Sequence, residues 1–415
     1  MGDRYNGTFV TLSLATKCVY MPDAVDSVTG AVNTPIYQTA GFAYPNPADL
    51  ENVFKGRDSG HVYSRISNPT IADLERRIAY LDNALGAVAF SSGLAAIFTT
   101  IMVLARSGQN IVVSNALFSG SRDLFDETIP QLGIDVRWVD ITDHNHIKAL
   151  IDDQTAAVFS EIISNPKLVI PDVKALVDGI GSIPLVIDAT LTGSTGFDAV
   201  AHNVAVVIYS STKLFASNTG AIGGIVVDTG CFNWGQARHP DVRSAYDRIR
   251  GFAFIERLRR HGLNNGGFNT SPMNAFLTLV GLETLALRYE RICQTAQTVA
   301  AFFDKLGIPV RYPGLATHPQ HALANELLTG FGPLMTIDLG TKERAFAFIS
   351  KLKIVKNMTN LGDNRTMVIH PKSTLYWRHD TERLQQAGVT DGLIRMTIGL
   401  ESSDDLIHEF KEALQ

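Results

Sequence analysis

The sequence predicts an α/β fold, a mostly parallel sheet covered on both faces by helices and followed by a smaller α+β region. Three observations carry this. Between about residues 70 and 230, short apolar runs alternate with helical stretches. Those runs lack the polar alternation of a half-solvated strand, so each is expected to be buried on both faces, as in parallel sheets. The chain is also long, at 415 residues, with 45% hydrophobic and 19% charged residues, ample for a globular core and two or three domain-sized units.

The elements follow in order. Residues 1–60 carry turn residues at Pro22, Gly30, Pro35, Pro45 and Pro47 and little periodicity, and are expected to lie on another surface, such as a second subunit. Thr70 is placed to cap a helix running to Leu81, with Asp73 and Glu75 in its first turn. Ala87–Phe90 reads as a strand, Leu94–Ala105 as an apolar helix, Asn110–Val113 as a strand and Arg122–Leu132 as a helix. Val136–Val139, Ala156–Phe159, Leu185–Ile187 and Val204–Ile208 continue the strand series, and Gly223–Val227 adds one more. Ala275–Leu306 reads as one long helix starting after Pro272. Strands near Leu334–Leu339 and Ile394–Gly399, and helices near Lys342–Leu352 and Ser403–Leu414, complete the smaller region. The expected division is an arm over 1–60, a large α/β domain over 61–275 and an α+β domain over 276–415.

Several functions are excluded. A net charge of −5 offers no broad basic surface for nucleic acid. Cys18, Cys231 and Cys293 are far apart and form no CxxC pair, which argues against a disulfide framework or a metal site and for a reducing cytoplasm. Met1–Val10 lacks a basic segment followed by an apolar run, so no signal peptide is expected, and no apolar run is long enough to span a membrane.

The chemistry gathers at strand ends. Lys213 closes Ile208-Tyr209-Ser210-Ser211-Thr212-Lys213 directly after a strand. An ammonium is costly to bury, and desolvation lowers its pKa toward the neutral amine that forms a Schiff base. Ser210 and Thr212 offer hydroxyls to a phosphate beside it. A strand-end lysine that snorkels to solvent is the alternative. Ser91-Ser92-Gly93-Leu94 joins a strand to a helix, where backbone N–H groups bind phosphate and glycine allows close approach, although small residues there also serve the turn alone. Asp188 ends a strand and suits a protonated pyridine nitrogen, or caps a helix. Lysine, aspartate, glycine and hydroxyls all fall at carboxyl ends of candidate parallel strands, where open α/β sheets bind ligands.

With these residues in place, the sequence resembles the Cys/Met-metabolism enzymes that use pyridoxal 5'-phosphate (PLP), the cystathionine γ-synthase-like family. The resemblance runs over nearly the whole chain. It rests first on Asp188-Ala189-Thr190, Ser210–Lys213 and Gly220–Gly224, then on Tyr63-Ser64-Arg65 with Asn68-Pro69-Thr70. It implies the fold-type-I PLP transferase architecture, with a mostly parallel seven-stranded sheet, and Lys213 as the cofactor's attachment point. It further implies that Ser91, Gly93 and Leu94 line the phosphate, and that Asn165 meets the ring hydroxyl. Glu161 is implied at the substrate side, and Arg395 is implied to grip the substrate α-carboxylate, which suits a planar fork. Tyr63 and Arg65 would reach the phosphate of a neighbouring subunit, implying a homodimer within a dimer of dimers.

Within the family, Gly281–Leu285 with Arg288, Asn360-Leu361-Gly362-Asp363 and Ile369-His370-Pro371 resemble the O-acetylhomoserine sulfhydrylases, which make homocysteine for methionine biosynthesis. Asn360 stands where γ-lyases have Ser. Phe118 stands where most members have a Tyr that stacks on the ring and moves a proton. Phe keeps the stacking face and has no proton to give, which favours a carboxylate leaving group over a thiolate. Acetyl and succinyl esters, cystathionine synthesis and γ-elimination are separated no further by these residues, nor is free sulfide from sulfur delivered by a carrier protein. Lys372–Arg378 departs from the Thr-His usual in that loop, on the substrate side in the family. Without the resemblance, the same sheet edge also suits a non-catalytic phosphate-binding protein.

Overall fold

The computed structural model describes residues 12–22, 26, 29–218 and 220–415. The reading of Met1–Val10, and the first part of the expected arm, lie outside the described residues. Seven strands form the large sheet: β1 (Gly86–Phe90), β2 (Asn110–Ser114), β3 (Asp135–Val139), β4 (Thr155–Glu161), β5 (Leu185–Asp188), β6 (Val206–Tyr209) and β7 (Gly224–Asp228). Their order is β1-β7-β6-β5-β4-β2-β3. The pairs from β6 through β5, β4, β2 and β3 are parallel, whereas β7 runs antiparallel to both β6 and β1. β1 therefore points the same way as the parallel set, and its carboxyl end shares their edge.

Successive residues face opposite sides, as a pleat requires. Ala89, Val112, Val158, Ile187 and Val207 belong to one core cluster, which includes Ile71, Leu74 and Ile78 of the helix Pro69–Leu81. Phe90, Val113, Phe159, Val186 and Ile208 belong to a second, which includes residues of the helix Gly93–Leu104. Each such fully buried Val, Ile or Phe side chain contributes about 1.5–3 kcal/mol relative to exposure. Two glycines let the turns at the shared edge interlock. A Cβ on Gly224, which opens β7 opposite Phe90, would lie 2.0 Å from the Ser92 carbonyl oxygen, and one on Gly93 would lie 2.9 Å from the Ser210 Cβ.

A second sheet has the order β10-β11-β12-β9-β8, from β8 (Val310–Arg311), β9 (Leu334–Asp338), β10 (Lys356–Asn357), β11 (Met367–Ile369) and β12 (Leu393–Thr397). Phe303, Met335, Ile337, Phe348, Met396 and Phe410 form its separate core.

Four expectations change. The described residues among the first 60 hold two short helices, Leu14–Val19 and Pro47–Phe54, each begun by a capping Ser13 or Asn46. Asn68, not Thr70, caps the helix Pro69–Leu81; the Thr70 hydroxyl instead donates to the Pro35 carbonyl and ties the arm down. The helix expected over Arg122–Leu132 is three pieces, an α-helical turn Ser119–Asp123, a π-helix Leu124–Thr128 and a 3-10 turn Pro130–Leu132. The long helix after Pro272 divides into Pro272–Leu282 and Leu285–Lys305. Arg288 explains the division: its guanidinium takes the freed Gly281 carbonyl at 2.6 Å and the Leu214 carbonyl at 2.7 Å. Arg288 thus ties Gly281 to Leu214, the residue just beyond Lys213.

Candidate active site

A cavity of about 270 Å³ opens at the carboxyl ends of the parallel strands. Adjacent strands each deliver a group to it: β6 leads to Ser210, Thr212 and Lys213, β5 ends in Asp188, and β4 ends in Glu161 and leads on to Asn165. β2 leads to Phe118, and β1 leads to Gly93 and Leu94. The register sets Glu161 beside Asp188, and Asp188 beside Ile208.

Other expected residues lie at or beyond the wall. Arg395 is 1% exposed in the middle of β12. It reaches over from the second sheet to the Asn165 side-chain oxygen at 3.5 Å and to the Thr359 and Asn360 carbonyls at 3.2 and 3.0 Å. Asn360 accepts a hydrogen bond from Lys213 Nζ. Ser91 is an exposed strand-end residue whose N–H is taken by the Phe268 carbonyl at 2.7 Å, and it does not line the cavity. Its neighbour Ser92 does, and as N-cap of the helix Gly93–Leu104 its hydroxyl accepts from the Ala95 N–H at 3.1 Å. Tyr63 and Arg65 lie outside this chain's own cavity: the Arg65 guanidinium is 5.4 Å from the Tyr63 ring and bonds to Asn264, and the ring is 45% exposed.

Sequence reasoning gave Thr190 no role. It ties two neighbours together, its hydroxyl accepting the Ser210 N–H at 2.8 Å while its own N–H donates to Asp188 at 2.9 Å. Its place in Asp188-Ala189-Thr190 was the available signal. The Thr212 hydroxyl is engaged by the Gly223 N–H at 3.0 Å, so it fixes the turn as well as facing the cavity.

Burial sets the electrostatics. It pushes the Lys213 amine down to about 8, helped by the nearby positive Arg395, and holds Arg395 down at about 10. Asp188 is raised above the usual carboxylate range by burial. Glu161 is raised further, by burial and then by Asp188. Both Glu161 oxygens are occupied, by the Phe118 N–H at 2.8 Å and the Asn165 N–H at 2.9 Å. Glu161 therefore holds two turns together, besides its place at the cavity wall. Arg395 has no carboxylate within ion-pair distance among the described residues. A buried guanidinium without an anion suits a ligand carboxylate.

PLP fits this donor set. Its phosphate suits the helix start at Gly93 and Leu94, where N–H groups lack intrahelical partners and the missing Cβ leaves room beside Ser210. Its ring nitrogen, when protonated, suits Asp188, whose raised pKa reflects burial without a cation. Its aldehyde suits an amine already lowered toward neutrality.

The profile of the Cys/Met metabolism PLP-dependent enzyme family matches residues 15–415. The chain belongs to this family. Among relatives of this PLP enzyme, the O-acetyl-L-homoserine sulfhydrylase 1 of Thermus thermophilus is 37% identical over 400 residues, covering 92% of this chain and 94% of that protein. The homocysteine synthase of Schizosaccharomyces pombe is 34% identical over 409 residues, covering 94% and 95%. A crystal structure of a putative O-acetylhomoserine (thiol)-lyase from Campylobacter jejuni superposes with a TM-score of 0.92 at 30% identity, over 97% of this chain and 100% of that one. That structure carries a pyridoxyl-lysine monophosphate. Among the described residues of this PLP enzyme, no helix is long and apolar enough to cross a membrane.

Proposed function

We propose that this PLP enzyme is an O-acetylhomoserine sulfhydrylase, exchanging the γ-acetoxy group of O-acetyl-L-homoserine for sulfur to give L-homocysteine, a step of methionine biosynthesis. The observation that carries the reading is the convergence of a near-neutral buried amine, Lys213, with a buried guanidinium that lacks an anion, Arg395, while Phe118 holds the place of a phenol.

PLP, when bound, supplies an aldehyde for amines and an electron-withdrawing ring that takes up negative charge from the substrate's α-carbon. The chain's groups do the rest. Gly93 and Leu94 N–H, with Ser210 and Thr212, hold the phosphate. Asp188 keeps the ring nitrogen protonated. Asn165 meets the ring hydroxyl, and Phe118 covers the ring face. Lys213 anchors the cofactor, then takes the α-proton and returns it, as a base near neutral pKa should. Arg395 orients the α-carboxylate, and the Asn360 side chain steers Lys213 Nζ. Acetate leaves without a proton, so Phe118 is no obstacle, whereas a thiolate leaving group would lack the acid it needs.

The same reading gives Tyr63 and Arg65 a role at a second subunit's phosphate, in a dimer or dimer of dimers. It divides the chain into an arm over 1–60, a cofactor domain over 61–275 and a domain over 276–415, working in the cytoplasm, with sulfide free or delivered by a carrier protein. The test is to supply the PLP-loaded protein with O-acetyl-L-homoserine and sulfide and to measure homocysteine, with cystathionine measured when cysteine replaces sulfide and 2-oxobutanoate when neither is present. Steady formation with sulfide, well above that with O-succinyl-homoserine or with cysteine as sulfur source, is expected. Preference for the succinyl ester, for cysteine, or for water over sulfide would replace the reading with the matching reaction of the same family.

A further inference from the structure

The loop after β11, which departs from the Thr-His usual in the family, carries Tyr376, and the structure buries that side chain to 2% exposure among Ala387, Val389 and Leu393. Its hydroxyl oxygen lies 3.2 Å from the Leu117 carbonyl oxygen and 3.3 Å from that of Asn165. A phenol has one proton, so it donates to either carbonyl in turn and bridges both. The two carbonyls belong to the turns that Glu161 already links through the N–H groups of Phe118 and Asn165. Carboxylate and phenol thus grip the same two turns, one through donors and the other through acceptors. The segment bearing the phenol is fastened to the chain just after Phe118. Arg122 bonds to Gln386 at 2.9 Å and to Asp126 at 2.7 Å, Arg383 reaches Asp126 at 3.4 Å, and His379 reaches Asp123 at 3.2 Å.

We propose that Tyr376 is a positioning residue that locks the Phe118 and Asn165 turns together, so that the Asn165 amide stays against Arg395 and the amino-acid carboxylate finds its guanidinium in place. This rests on the reading of the cavity as an amino-acid site. Tyr376 does not replace the proton donor absent at Phe118. Its hydroxyl is directed at backbone carbonyls, it does not line the cavity, and burial raises it above the ordinary phenol range.

The experiment compares wild type with Tyr376→Phe, which keeps the ring and removes the hydroxyl. Binding is read from the absorbance of the lysine-linked cofactor during titration with L-homoserine, whose hydroxyl is a poor leaving group. KM and kcat are then measured with O-acetyl-L-homoserine and sulfide. Loss of one buried hydrogen bond should weaken homoserine binding and raise KM by about three- to tenfold, with kcat nearly unchanged. Unchanged homoserine binding overturns the proposal, as does a fall in kcat alone, which would mark the hydroxyl as an acid. If neither protein makes homocysteine and the variant still binds homoserine more weakly, the sulfhydrylase reading fails and the positioning role stands. Should Tyr376→Phe not fold, Arg383→Ala decides, because it loosens the segment and leaves the phenol; wild-type homoserine binding in that variant overturns the proposal.

Discussion

Lys213 and Arg395 are both cations removed from water, yet they stand in unlike settings. Lys213 follows the end of β6, in a turn, with a side-chain amide as partner. Arg395 lies in mid-strand on β12, paired across to Thr336 and Ile369, with backbone carbonyls and an amide as its partners. Burial lowers both, but only the lysine is brought within reach of neutral pH, to about 8 against about 10 for the arginine. The lysine can give up its charge and become a base. The guanidinium keeps its charge and waits for an anion. One sheet thus carries the group that changes protonation, and the other carries the fixed charge.

The largest effect should come from removing the group that changes. Lys213→Ala is expected to lower homocysteine formation by about 10²–10⁴-fold and to abolish fixation of the cofactor by borohydride. Turnover near wild type would break the contrast outright. Removing the fixed charge should act on binding: Arg395→Ala is expected to raise the KM for O-acetyl-homoserine by about 10–100-fold, the worth of charged hydrogen bonds, with Arg395→Lys recovering little of it. A loss confined to kcat would show that Arg395 is not the carboxylate site.

The two cations also feel each other. Capture of added PLP by the apoprotein needs neutral Lys213, so its rate should climb with pH through about 8, well below the ordinary lysine value of 10.5. Arg395→Gln should move that midpoint upward, since it removes a like charge. A midpoint that stays in place would limit the cause to burial. The smallest effect concerns a buried anion away from the cavity. Asp82 accepts from the Tyr209 hydroxyl at 2.9 Å, and burial raises it from 3.8 to about 6. The folded state then holds more protons than the unfolded one between those values, so stability falls as pH rises across that window. Asp82→Asn should flatten the slope of Tm between pH 4 and 6; an unaltered slope would sink this account.

The parallel sheet and its strand ends were readable in the sequence, because apolar runs such as Val206–Tyr209 have few other uses and the polar residue after each run stands out. Lys213 and Asp188 were singled out that way, and the structure sets both at one cavity. The resemblance implied Ser91 at the phosphate; in the structure Ser92, not Ser91, caps the helix and lines the cavity, a choice that only backbone geometry makes. Arg395 was reachable by resemblance alone, for nothing in Leu393–Thr397 says that its guanidinium crosses to another sheet. Tyr376 was not legible as a buried bridge. Its partners are 211 and 259 residues away in sequence, and no local pattern encodes such a contact.

Gly224 carries a consequence for how the cofactor is retained. It does not line the cavity, yet any side chain there would collide with the Ser92 carbonyl and displace the turn that opens the helix Gly93–Leu104. β7 enters the sheet at that point against the direction of its neighbours. The reversed strand acts as a doorstop for the turn at Ser92 and Gly93. On the proposed function, occupancy by PLP would be set in part from behind the site, by a residue that does not line the cavity, while the proposed grip on the substrate would come from the second sheet.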